Sequence, residues 1–429
     1  MLSPAGSITD RAMFRSLAVP HFPKLLLGGF LWNVCRWGFG FLGAFLVNEM
    51  TDSARLVQLT GTFLWAPLLF AGAIGGALAD RFDRRRLVLA QFLGLIPLTV
   101  LMGIFLRSGD VPLWSIYAMM MAAGFGWIID MTGRRALVFD VVGPELITNA
   151  MTLEAISSSM GLILGTIAGG VIIDQLDIAS AWMAVAALLG IAVTILWRVP
   201  TQIVPHTATV GSTSVVEGQG PGAQEPSNHD SNPGFLDEVM AGLRLVRSNP
   251  ALASVLGVTV LVNFFHFSYF PITQLVAARL DVTPTLVGVL AAGTGIGMLL
   301  GATWVLVFTP TRGRSYVFGA IGAFLAIVGY AVFDVYALVL GSLIVASFFI
   351  GWFAANQAAI VMTVVDGAVR GRAMGLLTMS IGSLPVGMYA LGEMAEWVGV
   401  TAALVTFNLV GAGSLIIWLT RRPQVYHQA

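Results

Sequence analysis

The stretch GGALADRFDRRR, Gly75 to Arg86, puts six charges into twelve residues and has long apolar runs on both sides. Across the 429 residues, apolar types make up 57% and charged types only 10%. Soluble domains carry about 25% charged residues, so this composition belongs in lipid. A helix needs about 20 mostly apolar residues to cross a bilayer, and lipid leaves the backbone no partner outside its own helix. Working outward from the charge block, twelve such stretches appear: 24–48, 55–79, 87–107, 113–142, 147–173, 178–198, 251–279, 284–308, 315–333, 335–365, 372–395 and 400–420. The block is then the loop between spans 2 and 3.

Lysine and arginine set the orientation of such a chain. With the N-terminus in the cytoplasm, all but four of the 22 basic residues fall on the cytoplasmic side or in the cytoplasmic third of a span. Arg55, Arg107 and Arg279 face outside, and Arg36 lies within span 1. The acids Glu49, Asp52, Asp110, Asp174, Asp177, Asp281, Asp334, Glu393 and Glu396 also face outside. The expected location is a bacterial inner membrane, with both termini cytoplasmic. The charge block serves at the least as a topology anchor.

Residues 199–233 are rich in Gly, Pro, Ser and Thr and read as a flexible linker. FLDEVMAGLRLVR follows, with Phe235, Leu236, Val239, Met240, Leu243 and Val246 on one helical face. That pattern predicts a short amphipathic helix on the cytoplasmic surface, or else the start of span 7. The chain divides into an N-terminal six-helix unit (1–198), a linker region (199–250) and a C-terminal six-helix unit (251–429). The halves resemble each other. Residues 136–153 align without gaps on 359–376, with Ala136, Val138, Val141, Val142, Ala150, Met151 and Leu153 identical at a constant offset of 223. Both pieces fall where the fourth helix of a half meets the fifth. The expected fold is an all-α membrane protein of twelve transmembrane helices in two pseudo-symmetric bundles, a transporter architecture.

The run from Gly76 to Arg86 resembles the loop 2–3 signature of the major facilitator superfamily, Gly-x-Leu-x-Asp-Arg-x-Gly-Arg-Arg-Arg, with Asp83 in place of one glycine. NQAAIVMTVVDGAVRGRAMG (356–375) and GLRLVRSNP (242–250) are similar to the branch of enterobactin-exporter-like secretion proteins and drug exporters. Gly161, Gly165, Thr166, Gly169 and Gly170 resemble the antiporter motif of span 5, with Thr166 where that motif has proline. Close helix packing explains those glycines equally well. The resemblance implies a conformational latch of Gly76, Asp80, Arg81, Arg84 and Arg85, with Asp140 as the arginine's partner near the end of span 4. Asp80 would dock at the start of span 11, where a helix N-terminus favours a carboxylate.

Ionisable residues inside a membrane are functional candidates by default. Arg36 and Asp130 each lie twelve residues from the cytoplasmic end of their span, at a depth of about 18 Å, and Arg134 and Glu154 each lie eight residues in. Asp130 and Arg134 are four apart on one helical face. These four residues are expected to form one polar cluster. In one reading Asp130 or Glu154 takes up a proton outside and releases it inside. In the other they are permanent structural pairs. The C-terminal half offers Asn263, His266, Asn356 and Gln357 as cavity candidates, and span 1 adds Asn33. The aromatic stretch Phe264, Phe265, Phe267, Tyr269 and Phe270 either lines an apolar cavity or faces lipid.

Net charge is zero, which excludes a basic nucleic-acid surface, and the single Cys35 excludes an internal disulfide or a Cys-based zinc site. No His-Glu-x-x-His, Gly-x-Ser-x-Gly or phosphate-loop pattern is present, so an intramembrane enzyme is not expected. The expected function is secondary active export of a small amphipathic molecule, of the siderophore or drug class the resemblance implies, driven by protons. An importer, an uncoupled facilitator and a non-transporting receptor of the same fold are the alternatives. No cofactor or metal is expected. The expected partners are the substrate, protons and the bilayer, and the expected state is a monomer.

Overall fold

The computed structural model describes residues 12–70, 83–199, 235–308 and 311–427. Gly76, Asp80 and Arg81 of the charge block, and linker residues 200–234, lie outside the described residues. No strand occurs among the described residues. Ten helices there are long and apolar enough to cross a membrane. One of the ten, Leu113–Gln175, is 63 residues long and contains both span 4 and span 5. Gly143 breaks it with φ 74° and ψ 175°, a backbone region that only glycine enters freely, and Pro144 then restarts the helix. Span 2 is described as Ala54–Trp65 with a 3-10 turn to Phe70, and then passes into the undescribed loop.

The remaining spans are Phe22–Thr51 (1), Arg84–Ser108 (3), Ile178–Trp197 (6), Pro250–Arg279 (7), Pro284–Phe308 (8), Arg312–Val332 (9), Tyr336–Thr363 (10), Arg370–Val398 (11) and Val400–Arg421 (12). Within each half the spans form a bundle. Span 1 packs on spans 5 and 6, and span 3 on span 6; span 10 packs on spans 8 and 9, and span 12 on span 9. The halves meet along span 5 with span 8 and span 2 with span 11. A six-helix repeat maps span 5 onto span 11 and span 2 onto span 8. The two seams are therefore copies of one another, as the internal repeat predicts.

Close approach explains the glycines of span 5. An ideal Cβ on Gly165 would lie 2.5 Å from the Val34 carbonyl oxygen, and one on Gly161 would lie 2.5 Å from the Asn33 Cβ. Thr166 keeps the helix continuous, and its hydroxyl donates to the Leu162 carbonyl at 2.9 Å. Trp114, Trp197 and Trp397 stand exposed at helix ends, where an aromatic ring suits the membrane–water boundary.

The helix Phe235–Ser248 is separate from span 7. Asn249 breaks the chain between them and caps span 7, its side chain accepting the Leu252 N–H at 3.0 Å. Asp83 also has a structural task. Its carboxylate accepts the Arg86 N–H at 2.8 Å and caps the N-terminus of span 3.

Candidate functional site

Span 4 does not reach its break at Gly143 as a regular α-helix. Asp130–Arg134 form a π-turn, a widened coil often found at functional sites. The turn places Asp130 and Arg134 side by side. The Arg134 Nε donates to Asp130 Oδ1 at 2.5 Å and its Nη2 to Oδ2 at 3.2 Å. Its Nη1 donates to Glu154 Oε2 on span 5. All three side chains are buried. One guanidinium thus holds two carboxylates, and the contacting triad carries a net charge of −1 when all three groups are ionised.

Arg36 does not join this triad. It has no carboxylate within ion-pair distance among the described residues, although it matches Asp130 in depth. Its Nη2 donates to Asn33 Oδ1 and Ser158 Oγ, both at 3.3 Å. The guanidinium lies over the rings of Trp37 and Trp127, 4.7 and 4.6 Å from their centroids.

Between the halves lies a cavity of about 60 Å³. Trp37, Phe41, Trp65 and Thr166 contribute to its wall from the N-terminal half, and Phe270 and Gln274 from the C-terminal half. Trp65 packs edge-on against Trp127 with centroids 4.2 Å apart, and Trp65 and Phe270 lie nearly parallel at 6.5 Å. Phe270 is the one member of the aromatic stretch 264–270 on this wall. Phe264 and Phe265 pack on Phe407 of span 12 instead.

The other cavity candidates are placed elsewhere. Asn263 and Asn356 donate to the carbonyls of Thr259 and Trp352, one turn back on their own helices. Gln357 reaches the Thr259 hydroxyl at 3.2 Å. His266 is buried in a second π-turn, Val262–His266, among Phe267, Tyr269 and Phe324. Asn33 packs against span 5 at Gly161 and serves Arg36. Sequence reasoning missed Trp37, Trp65, Trp127 and Ser158. The adjacency of Trp37 to a buried arginine was the available signal.

Part of the expected latch is described. Arg84 Nη1 contacts both Asp140 oxygens, at 2.7 and 2.5 Å, and ties the start of span 3 to the end of span 4. Arg85 turns to the end of span 6, where its Nη2 donates to the Trp197 carbonyl at 2.7 Å. A cation at a helix C-terminus is favourable there. At the opposite end of the molecule the halves are joined directly. Glu396 of span 11 accepts the Ser53 hydroxyl at 3.0 Å and the Arg55 N–H at 3.1 Å. The Thr285 hydroxyl donates to Asp174 at 2.6 Å. Nearer the centre, Gln58 Nε2 donates to the Ser268 carbonyl at 2.9 Å.

Comparison with known proteins follows this geometry. The family model described as Major Facilitator Superfamily matches residues 25–382. Enterobactin exporter EntS of Citrobacter koseri is 24% identical over 431 residues, covering 95% of this chain and 94% of the relative. Its counterpart from Shigella flexneri is also 24% identical, covering 93% and 91%. Among solved structures, a bacterial homologue of the human lysosomal transporter Spinster, inward-facing and unoccupied, superposes with a TM-score of 0.64 at 14% identity, covering 95% and 96%. A peptide transporter POT variant in complex with sulfate superposes with a TM-score of 0.74 at 13% identity, covering 95% of each chain.

Proposed function

The chain belongs to the Major Facilitator Superfamily, and on that premise we propose that it exports a small amphipathic molecule across the bacterial inner membrane by alternating access, in exchange for protons. Membership makes it a membrane transporter. The exporter names of the full-length relatives support the outward direction and the siderophore or drug class of substrate. The positive-inside distribution places the Arg84 end in the cytoplasm and the Glu396 end outside.

The observation that carries proton coupling is the charge of the buried triad. Two carboxylates share one guanidinium, so the ionised cluster holds an uncompensated −1 away from water, which is costly. One proton makes it neutral. Asp130 and Glu154 are the carriers, and Arg134 holds both in place. Spans 4 and 5, which bear them, meet at the Gly143 break, and span 5 forms one seam between the halves. A change of charge on the triad therefore acts on an element that moves when the halves rock. Arg84 and Asp140, with Asp80, Arg81, Arg85 and Gly76 of the same loop, form the latch that biases the two access states.

The test is driven transport in proteoliposomes, screened across siderophores and lipophilic cations with and without a pH gradient. Asp130→Asn and Glu154→Gln are expected to abolish gradient-driven transport while substrate binding persists. Driven transport at the wild-type rate in both variants overturns the coupling role. Absence of flux for every compound, alongside specific binding, favours a receptor.

A further inference from the structure

One buried cation in the N-terminal half has no anion. Arg36 is 7% exposed, and it makes no ion pair among the described residues. Its two hydrogen bonds, at 3.3 Å, are long for a charged donor and go to neutral groups. Its Nε is buried with no hydrogen bond. Burying a guanidinium without a counter-charge is expensive, and the faces of two tryptophans return only part of that cost.

The neighbours of Arg36 share its deficiency. The Asn33 Nδ2 and the Trp37 Nε1 are also buried without an acceptor. Positions 33, 36 and 37 are spaced three and four apart, so they share one face of span 1. All three orphaned atoms are N–H donors. A face that offers only donors, one of them cationic, complements oxygen atoms of negative charge. Trp37 also belongs to the wall of the cavity between the halves, with Trp65 and Phe270. The donor face and the aromatic wall therefore adjoin at one residue.

We propose that Arg36, Asn33 and Trp37 form the anion-binding subsite of the transported molecule, which is an organic oxyanion whose planar or apolar body lies against Trp37, Trp65 and Phe270. This rests on the transporter reading and narrows its substrate class. At about 60 Å³ the cavity must widen to admit even a single ring, and parting of the halves in alternating access provides that space.

The test uses the full-length protein in detergent or nanodiscs, with benzenesulfonate as the probe and neutral benzenesulfonamide as its control. The sulfonate stays ionised through the working pH range, so pH acts on the protein alone. Calorimetry is expected to show saturable binding of the sulfonate and at least tenfold weaker binding of the sulfonamide. Arg36→Gln is expected to weaken sulfonate binding at least tenfold and leave the sulfonamide unchanged. Arg36→Lys, which keeps the charge, is expected to restore part of the affinity. Monodisperse elution and an unchanged melting temperature establish that the variants are folded; if Arg36→Gln is not folded, the comparison of Arg36→Lys with wild type decides.

Equal binding of the two probes, no saturable binding of either, or wild-type sulfonate affinity in Arg36→Gln overturns the subsite. Wild-type affinity in Arg36→Lys, if Arg36→Gln does not fold, overturns the role of the guanidinium. The pH profile separates this proposal from the coupling it rests on. In an exchanger, proton and substrate exclude one another, so sulfonate affinity falls as the pH is lowered. Arg36-dependent affinity that rises instead keeps the subsite and overturns exchange.

Discussion

Arg134→Gln is the perturbation that tests the charge accounting of the triad most directly. Arg134 is 4% exposed and contacts both Asp130 and Glu154. Removing it leaves two buried carboxylates facing each other without a cation. Deleting one partner of a buried ion pair costs about 3–5 kcal/mol. One cation serves two acids here, so the upper part of that range applies. Asp130→Asn is the matched control. It leaves Arg134 paired with Glu154, the triad becomes neutral, and the amide oxygen still accepts from Nε, so the loss is about 1 kcal/mol. At about 2 °C per kcal/mol for a long chain, Arg134→Gln should melt about 6–10 °C below wild type and Asp130→Asn about 2 °C below. The molecule carries its own reporter. Cys35 is its only cysteine and is fully buried, with Sγ 3.8 Å from the Val185 carbonyl. A thiol-reactive fluorogenic dye therefore reports unfolding at one site. Melting of Arg134→Gln within 2 °C of wild type, or of Asp130→Asn as low as Arg134→Gln, refutes the reasoning.

Two further outcomes follow from other parts of the structure. Arg84→Gln removes a partly exposed ion pair worth up to about 1 kcal/mol, so it should change the ratio of access states by up to about fivefold. Electron-resonance distances between labelled halves measure that ratio, and an unchanged distance distribution counts against the latch. Asp177, between spans 5 and 6, accepts the Ser180 N–H at 2.6 Å, and this bond holds its carboxyl below the ordinary value. A depressed pKa stabilises above the ordinary pKa, and the contribution is lost as pH falls through the lower folded value. Hydrogen exchange at Ser180, corrected for its intrinsic rate, should therefore speed up below about pH 4, and in Asp177→Asn this extra acceleration should be absent.

Much of the fold was legible because lipid restricts the choices. The spans had to be helices of a certain length, and the described ends lie within a few residues of those expected, as Pro284–Phe308 and Ile178–Trp197 illustrate. The pairing of Asp130 with Arg134 was legible from their spacing of four, and that of Arg134 with Glu154 from equal depth. Depth is one coordinate, however, and rotation about the helix is another. Arg36 shared the depth of Asp130 but faces Asn33, Ser158 and two tryptophans. The π-turn at Asp130–Arg134 was hidden for a related reason, since an extra residue per turn leaves the apolar pattern of the span intact. Asp83 was read as a departure from a family pattern. Local chemistry shows it as an N-cap, a signal present in the sequence as an aspartate just before a helical run. The aromatic wall draws on spans 1, 2 and 7, and no local pattern joins them.

Two unsatisfied charges of opposite sign remain in the N-terminal half. The triad holds one carboxylate more than it has cations, and Arg36 has a positive charge without a contacting anion. A purely structural cluster would bring them together, since Asp130 and Arg36 lie at similar depth and mutual neutralisation would stabilise both. Instead Arg36 is held off by Asn33 and Ser158 on one side and by Trp37 and Trp127 on the other. The separation leaves each charge free for a different partner: a proton for the triad and an oxyanion for Arg36. Permanent ion pairing would need no such separation, and this is the physical ground for preferring the functional reading of these residues.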